Sequence, residues 1–477
     1  MKYLIVNKKV AVDSFLAVNL NIFEYCELRF GRDNLITILR NNLPALFEDA
    51  QIIFTSHSFD NIDLILREKN INYADFDSEN DHLIYFDMSV FPLDFTKLNN
   101  VFAKALINKK PTRFYVKNGD RKTFLPLAID KNSSELEIDL SEMVVDLKEA
   151  DSLLQLFFSN FNSRYFNDLS RSRKNYIVKS SSDIQKIKSE FNFLSHIPLD
   201  VKTFYPHLGS YCEAAGNAEY EIEKIYMLDL SKQIINKILR ESDLEKLLTK
   251  LENYLTISDS KKVDRVEFEK NFNQSFIEKN SKRFAALKNL EIFETLNQLA
   301  KIQGYSSCED FYNQLQQEIK NILSRKSWNY SLIFSHGDLC FSNILYDIHT
   351  SGLKLIDPKG FNNSIAETYR SIYYDLAKLS HSFMGFYDLI LYNMVEIKFS
   401  ENGNRLILDF DLDEKYKKLL RDKFANFIQK MGFDLNVVRL LEASLFFSMI
   451  PLHQEDKKRM IAQFVQATNI FESVKNQ

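Results

Sequence analysis

Glycine is scarce in this sequence: 11 among 477 residues, none before Gly31 and none between Gly119 and Gly209. That distribution excludes a G-x-G-x-x-G dinucleotide fingerprint and a G-x-x-x-x-G-K-[ST] phosphate loop anywhere in the chain. Cysteine is scarcer still. Cys26, Cys212, Cys308 and Cys340 stand far apart with no C-x-x-C spacing, which argues against a disulfide framework or a zinc site and for a reducing cytoplasm. Neither sign of charge dominates, since 61 basic and 65 acidic residues leave a formal net charge of -4. A general nucleic-acid binder, with its basic stripe, is not expected. Long apolar runs are missing as well. The opening MKYLIVNKKVAVDSFLAV is broken by Lys8, Lys9 and Asp13 and makes a poor signal peptide. No uninterrupted stretch of about 18 apolar residues offers a membrane span.

What remains is an ordinary globular composition, 45% hydrophobic and 26% charged. The length exceeds what one hydrophobic core normally supports, so two or more domains are expected. Composition gives no oligomeric state. Residues 1–145 alternate strand-like runs (Lys2–Val6, Gln51–Thr55, His82–Phe86, Arg113–Val116) with helix-like segments (Asp33–Asn42, Phe59–Lys69). This alternation predicts an α/β domain with a partly parallel sheet. Asp146–Asn162 reads as a joining helix.

From about 150 to 235 the pattern turns to short strands with one helix: Tyr176–Lys179, a helix around Ser182–Leu194, Tyr220–Tyr226 and Leu228–Leu230. From 236 to 477 it is mainly helical, with helices expected at 285–303, 308–324, 366–398, 412–431 and 435–474. Ser242 and Glu245 have the spacing of a capping box ahead of the stripe Leu244, Leu247, Leu248 and Leu251.

Three of the few glycines, Gly337, Gly352 and Gly360, crowd into SLIFSHGDLCFSNILYDIHTSGLKLIDPKG, where tight turns or close backbone approach are expected. At its centre lies His336-x-Asp338-x-x-x-x-Asn343, then the apolar strand Leu353–Ile356, then Asp357. Phosphoryl transfer to a hydroxyl needs a carboxylate to orient the hydroxyl and take its proton, and oxygen ligands to hold Mg²⁺ against the ATP phosphates. Asp338 suits the first role; Asn343 and Asp357, hard oxygen donors, suit the second. A hairpin of Ile344–Tyr346 and Leu353–Ile356 would bring Asp357 back beside Asn343.

These residues resemble the aminoglycoside phosphotransferase and choline-kinase-like branch of the protein-kinase-like fold. HGDLCFSNIL is similar to its catalytic loop, LKLIDPKG to its metal-binding strand end, and YYDLAKLSHS to its downstream helix start. The resemblance implies an α+β, protein-kinase-like bilobal domain preceded by the α/β domain. Its small β-rich lobe is expected over 150–235 and its large helical lobe over 236–477. ATP and Mg²⁺ are the implied cofactors, and a small hydroxyl-bearing molecule, a sugar or amino alcohol, is the implied substrate.

The resemblance further implies Asp338 as catalytic base, Asn343 and Asp357 as metal ligands, and His336 and Asp375 as scaffold. Upstream it calls for a strand lysine paired with a helix glutamate, for which Lys179 and Glu190 are the candidates, with Lys174, Lys186 and Lys188 as competitors. Glu223 and Ile225 fall where a hinge would bind adenine. The loop before Lys179 has no glycine; Ser170, Ser172, Arg171 and Arg173 are its candidates for phosphate contact. Glu367, Arg370 and His453 are candidates for the acceptor pocket.

The first domain carries a fainter resemblance, to sugar-phosphate nucleotidyltransferases, in LIYFDMSVFPLD. Asp87 would be the metal-binding carboxylate there, although Pro92 lies too far along and the G-x-G-x-R loop is absent. A capsule or cell-envelope precursor pathway is the setting this implies. A catalytically inactive scaffold and a protein kinase are the rival readings; the missing glycine loop and A-P-E segment weigh against the latter.

Overall fold

The computed structural model describes residues 2–7, 10, 25, 29–30, 33–42, 50–55, 64, 67–68, 82–93, 95–107, 111–118, 121–129, 136–148, 168–173, 176–214, 216–325 and 327–475. The chain forms two compact units, Met1–Asn162 and Ser163–Gln477.

The first unit is built on a six-stranded mixed sheet. Its strands run in the order Ala50–Thr55, Lys2–Asn7, His82–Asp87, Arg121–Ile129, Thr112–Asn118, Leu136–Asp139. Lys2–Asn7 pairs in parallel with both of its neighbours, while Arg121–Ile129 runs antiparallel between His82–Asp87 and Thr112–Asn118. The strands Arg121–Ile129 and Leu136–Asp139 go beyond the sequence expectation. The joining helix expected from Asp146 is not seen at its start, because Val144–Asp146 pairs as a strand with Val90–Pro92. The rest of that expectation, and most of Phe59–Lys69, lie outside the described residues.

The second unit is an α+β body with a β-sheet lobe and a helical lobe. The sheet is antiparallel, in the order Asp168–Arg173, Tyr176–Ser181, Asn217–Glu223, Leu208–Ala214. Ile184–Ser195 packs on it as a helix, started by Asp183, whose side chain accepts the Lys186 N–H. Residues 224–227, without regular structure, carry the chain to Leu228–Asp229, which pairs with Ile344–Asp347. The helical lobe centres on Ile372–Phe383, buried along nearly its whole length against Leu435–Met449, which packs in turn on Lys457–Lys475. The stretch Leu435–Leu452 is apolar enough to pass for a membrane span, but 78% of it is buried, as a core helix requires.

Several expected helices are cut short, each for a local reason. The 366–398 expectation ends in a hairpin of Val395–Phe399 with Leu406–Phe410, because VEIKF alternates with period two and Gly403 turns at positive φ. The 435–474 helix breaks at Pro451, which has no N–H to donate. The 285–303 span divides into Lys279–Leu287 and Ile292–Ile302. The capping box sits two residues earlier than its sequence signal. Asp243, not Glu245, reaches back, and it accepts the Arg240 N–H at 3.1 Å.

Candidate active site

Period-two alternation turns Lys179 and Ser181 inward from the strand Tyr176–Ser181, which buries a lysine. The following helix buries Ile187, Glu190, Phe193 and Leu194 along one stripe, so Glu190 is the single charge on an apolar face. The two meet. Lys179 Nζ lies 2.7 Å from Glu190 Oε2 and 2.7 Å from Asp357 Oδ1, and the Tyr220 hydroxyl donates to Glu190 at 3.1 Å. Burial by itself would lower the lysine's pKa, but Asp357, Tyr220 and Glu190 hold it well above its ordinary value. Burial pushes Asp357 up, and Lys179 more than reverses this, leaving its carboxyl below the usual range. The Asp357 side chain is still 47% exposed. Protein surrounds it while water reaches it from an open cleft, so the pair is not a sealed core bridge.

Lys179 is thereby distinguished from its competitors. Lys188 pairs with Glu213 at the surface, Lys186 lies in the first turn of the helix, and Lys174 is outside the described residues. Asp168–Arg173 forms a strand paired with Tyr176–Ser181, not the loop expected for Ser170, Arg171, Ser172 and Arg173.

Asp357 follows the hairpin Ile344–Asp347 and Gly352–Leu355, whose register sets Ile344 opposite Leu355. The Ile356 N–H then donates to the Asn343 carbonyl at 3.0 Å, which brings the strand end back to the loop carrying Asp338. Asp357 itself adopts φ 54, a left-handed conformation that costs a non-glycine residue free energy and concentrates at functional sites. Gly360 passes against the helix carrying Glu190; a Cβ there would come within 2.0 Å of the Ser189 carbonyl. Only glycine allows this approach.

The Asn343 Nδ2 donates to the Asp338 carbonyl at 2.8 Å and to Asp338 Oδ2 at 3.2 Å, which turns the amide oxygen toward the other side. Asp338 Oδ1 lies 2.7 Å from Lys378 Nζ. Burial opposes the charge on Lys378; Asp338 overcomes this and raises its pKa. Behind the loop, Asp375 in the first turn of its helix accepts the N–H groups of His336 at 3.0 Å and Gly337 at 2.9 Å. His336 Nε2 bonds the Ile356 carbonyl, and its Nδ1 accepts the Asp338 N–H. Those roles need the neutral ring, and burial lowers the His336 pKa accordingly. Gly337, at φ 76, has no room for a Cβ beside Lys359 and Arg370.

Other predicted residues lie elsewhere. Glu223 ends its strand and spends its carboxylate on the His207 N–H. Ile225 lies in the 224–227 connection, where its backbone makes no hydrogen bond among the described residues. Glu367 caps Ile365–Thr368 by accepting the N–H groups of Asn362, Asn363 and Ser364. His453 is buried against Tyr387. Arg370 is buried beside Gly337. Sequence reasoning missed Lys378, Tyr220, Lys359, Lys279 and Tyr374. Lys378 and Lys359 stand inside the quoted motifs YYDLAKLSHS and LKLIDPKG, where a charge amid apolar residues was the available signal.

The oxygen donors suit Mg²⁺. Asn343 has its nitrogen committed to Asp338 while its oxygen accepts a long 3.4 Å bond from the Ser342 hydroxyl, and Asp357, paired with Lys179 through Oδ1, keeps its carboxylate half exposed. Magnesium bound to nucleotide phosphates takes only one or two protein oxygens of this hard kind. Among the described residues there is no group of three or more His, Cys, Asp or Glu able to hold a metal alone. In the first unit, Asp87 is enclosed by Asn7 and Ser89, which donate to its two oxygens.

No protein-family model matches the sequence, and no curated protein is similar to it. Among solved structures, the chain is similar to a thermostable mutant of aminoglycoside phosphotransferase APH(4)-Ia in its apo form. The identity is 9% over 67% of this chain and 97% of that one, with a TM-score of 0.38. It is also similar to aminoglycoside 2'-phosphotransferase-IIIa in its GDP complex, at 13% identity over 68% and 96% with a TM-score of 0.40. A third is aminoglycoside-3'-phosphotransferase of type VIII, at 15% over 61% and 97% with a TM-score of 0.31. Likeness at that distance leaves the chemistry of this chain to its own residues.

Proposed function

We propose that the second unit is an ATP- and Mg²⁺-dependent phosphotransferase acting on a hydroxyl of a small molecule, a sugar or an amino alcohol, in the cytoplasm. One observation carries this reading. Lys179, Glu190 and Asp357, contributed by a strand, a helix and a hairpin end, are joined by ion pairs of 2.7 Å, and the hairpin register ties Asp357 to the Asn343–Asp338 loop.

Lys179 would hold the α- and β-phosphates, with Glu190 and Tyr220 fixing its position. Asn343 and Asp357 would hold the ion, which neutralises charge on the phosphates when bound. Asp338 would orient the acceptor hydroxyl. As the new oxygen–phosphorus bond forms and the bond from γ-phosphorus to the bridging oxygen breaks, the hydroxyl proton passes to the Asp338 carboxylate and ADP leaves. Lys378 keeps that carboxylate in place, and His336 and Asp375 hold the loop. The unbonded backbone of Ile225 would face the adenine edge. A capsule or cell-envelope precursor is the setting we favour for the acceptor; Asp87, enclosed by its neighbours, gives the first unit no second active site in this reading.

The test is ADP release from ATP and Mg²⁺ over a panel of sugars and amino alcohols. Asp338→Asn should lower turnover by about 10²–10⁴-fold, the usual contribution of a positioned base, in a protein that still folds although buried Lys378 loses its ion partner. Full activity in that variant would sink the assignment.

A further inference from the structure

Near Asp338, cations gather with few carboxylates to meet them. Lys279, from the helix Lys279–Leu287, donates to the Tyr374 hydroxyl at 2.8 Å. Lys359 Nζ and Arg370 Cζ lie 5.8 and 5.9 Å from the Tyr374 ring centroid. Lys279, Lys359 and Arg370 form no ion pair among the described residues, and Arg370, buried, has one long hydrogen bond to the Thr368 carbonyl. The nearby carboxylates are committed: Asp338 to Lys378 and Asn343, Asp375 to two N–H groups, Glu367 to three.

The ionisation of the cluster reflects this excess. Burial raises the Tyr374 phenol, but Lys279, Lys359 and Lys378 outweigh it and bring its pKa down to about 7. Burial, with Lys378 adding to it, lowers Lys279. Cations held this close with no carboxylate bonded to them are costly unless an anion completes them.

Asp338, 40% exposed, and Lys359, exposed, line the open side of this cluster. The cluster is therefore reachable from the point where an acceptor hydroxyl would sit.

We infer that the acceptor is an anionic hydroxy compound, a sugar bearing a phosphate or carboxylate group, whose anion is received by Lys279, Lys359 and Arg370 while its hydroxyl meets Asp338. This rests on the phosphotransferase reading and narrows it. Amino sugars and amino alcohols would bring like charge into the same place. Bonds between charged groups of this kind are strong and directional, and the second lobe supplies three of them from three different segments.

The test has two arms on the full chain. In the first, ADP release is compared for a hexose, the corresponding hexosamine, hexose 6-phosphate and hexuronate. The anionic sugars should be used best, and whichever of the two leads identifies the anion. Lys279→Gln and Lys359→Gln should each raise KM for that acceptor by about tenfold or more, the usual effect of losing a charged hydrogen bond, with KM for ATP unchanged; Lys359→Arg should restore it. Preference for the neutral or amino sugar, or a fall in kcat with acceptor KM unchanged, overturns the inference.

In the second arm, inorganic phosphate is titrated without nucleotide. Binding that Lys279→Gln weakens supports the inference, and no binding, or binding the variant leaves unchanged, overturns it. If Mg²⁺-ATP fails to bind while phosphate binding persists, the phosphotransferase reading falls instead.

Discussion

The two sides of the Asp338 loop treat charge in opposite ways. Toward the sheet, one lysine is enclosed by two carboxylates, so Lys179, Glu190 and Asp357 leave a local excess of negative charge. Toward the helical lobe, Lys279, Lys359 and Arg370 stand around a tyrosine with no carboxylate bonded to any of them. The first arrangement meets one lysine with an excess of carboxylate, and the second holds its cations with none. A cleft polarised in this manner does its electrostatic work before any ligand arrives, which is where most of the advantage of an active site over water originates.

The largest effect expected from breaking this contrast is on the sheet side. Lys179→Met removes the cation and leaves Glu190 and Asp357 facing each other; turnover should fall at least about 10²-fold, as when one charge-stabilising donor is deleted. Steady-state ADP release with a nucleotide-binding titration checks it, and near-native kinetics would remove Lys179 from the phosphate path.

Gly360→Ala probes the spacing between the two lobes. Its methyl meets the Ser189 carbonyl, and the helix carrying Glu190 must shift. A displacement of that order costs tens of fold in rate and also lowers the melting temperature. Gly403→Ala, in an open turn at φ 66, carries only the backbone strain of about 1 kcal/mol. Equal behaviour of the two variants would show that the close approach is unimportant.

A smaller effect belongs to the cationic side. Lys359 is charged below about 8 and neutral above it, and Tyr374 gains negative charge above about 7. Both changes reduce the positive field, with Lys279, Arg370 and Asp338 as the remaining neighbours, and the two groups titrate together. The KM for an anionic acceptor should therefore rise a few-fold, roughly, from pH 7 to 9, the modest size reflecting the solvent that reaches Lys359. In Lys359→Gln the rise should flatten. A KM that falls with pH would contradict the sign.

The smallest effect on turnover is expected at Asp87. It is buried and enclosed by Asn7 and Ser89, so Asp87→Asn should cost about 1–3 kcal/mol of stability in the first unit and leave ADP release unchanged. Lost turnover in a folded variant would give the first unit a role in the reaction.

Asp87 and Asp357 also show how far strand-end aspartates can be read from sequence. Each follows a strand, the apolar run LIYF before Asp87 and LKLI, apolar except for Lys354, before Asp357. Similar local patterns gave one carboxylate bound up by its neighbours and one half exposed. The difference lies in what the partner strands bring: Asn7 from the parallel neighbour in one case, Asn343 and Lys179 from distant segments in the other.

Periodicity marked a strand-rich stretch followed by a helical one, and the resemblance carried by His336, Asp338, Asn343 and Asp357 implied that they form two lobes. Strand alternation, turns and hairpin register are legible because they are local properties of the chain. Helix ends were less legible, as at Phe386, a buried residue whose positive φ falls within the expected 366–398 helix. The charge field around Asp338 was out of reach entirely. Lys279 precedes Lys359, Arg370 and Lys378 by 80, 91 and 99 residues of helix and strand, and each is ordinary in its own segment. Only tertiary packing decides which charges end up sharing a cleft, because Coulomb energy depends on distance in space and on how much water remains between the groups.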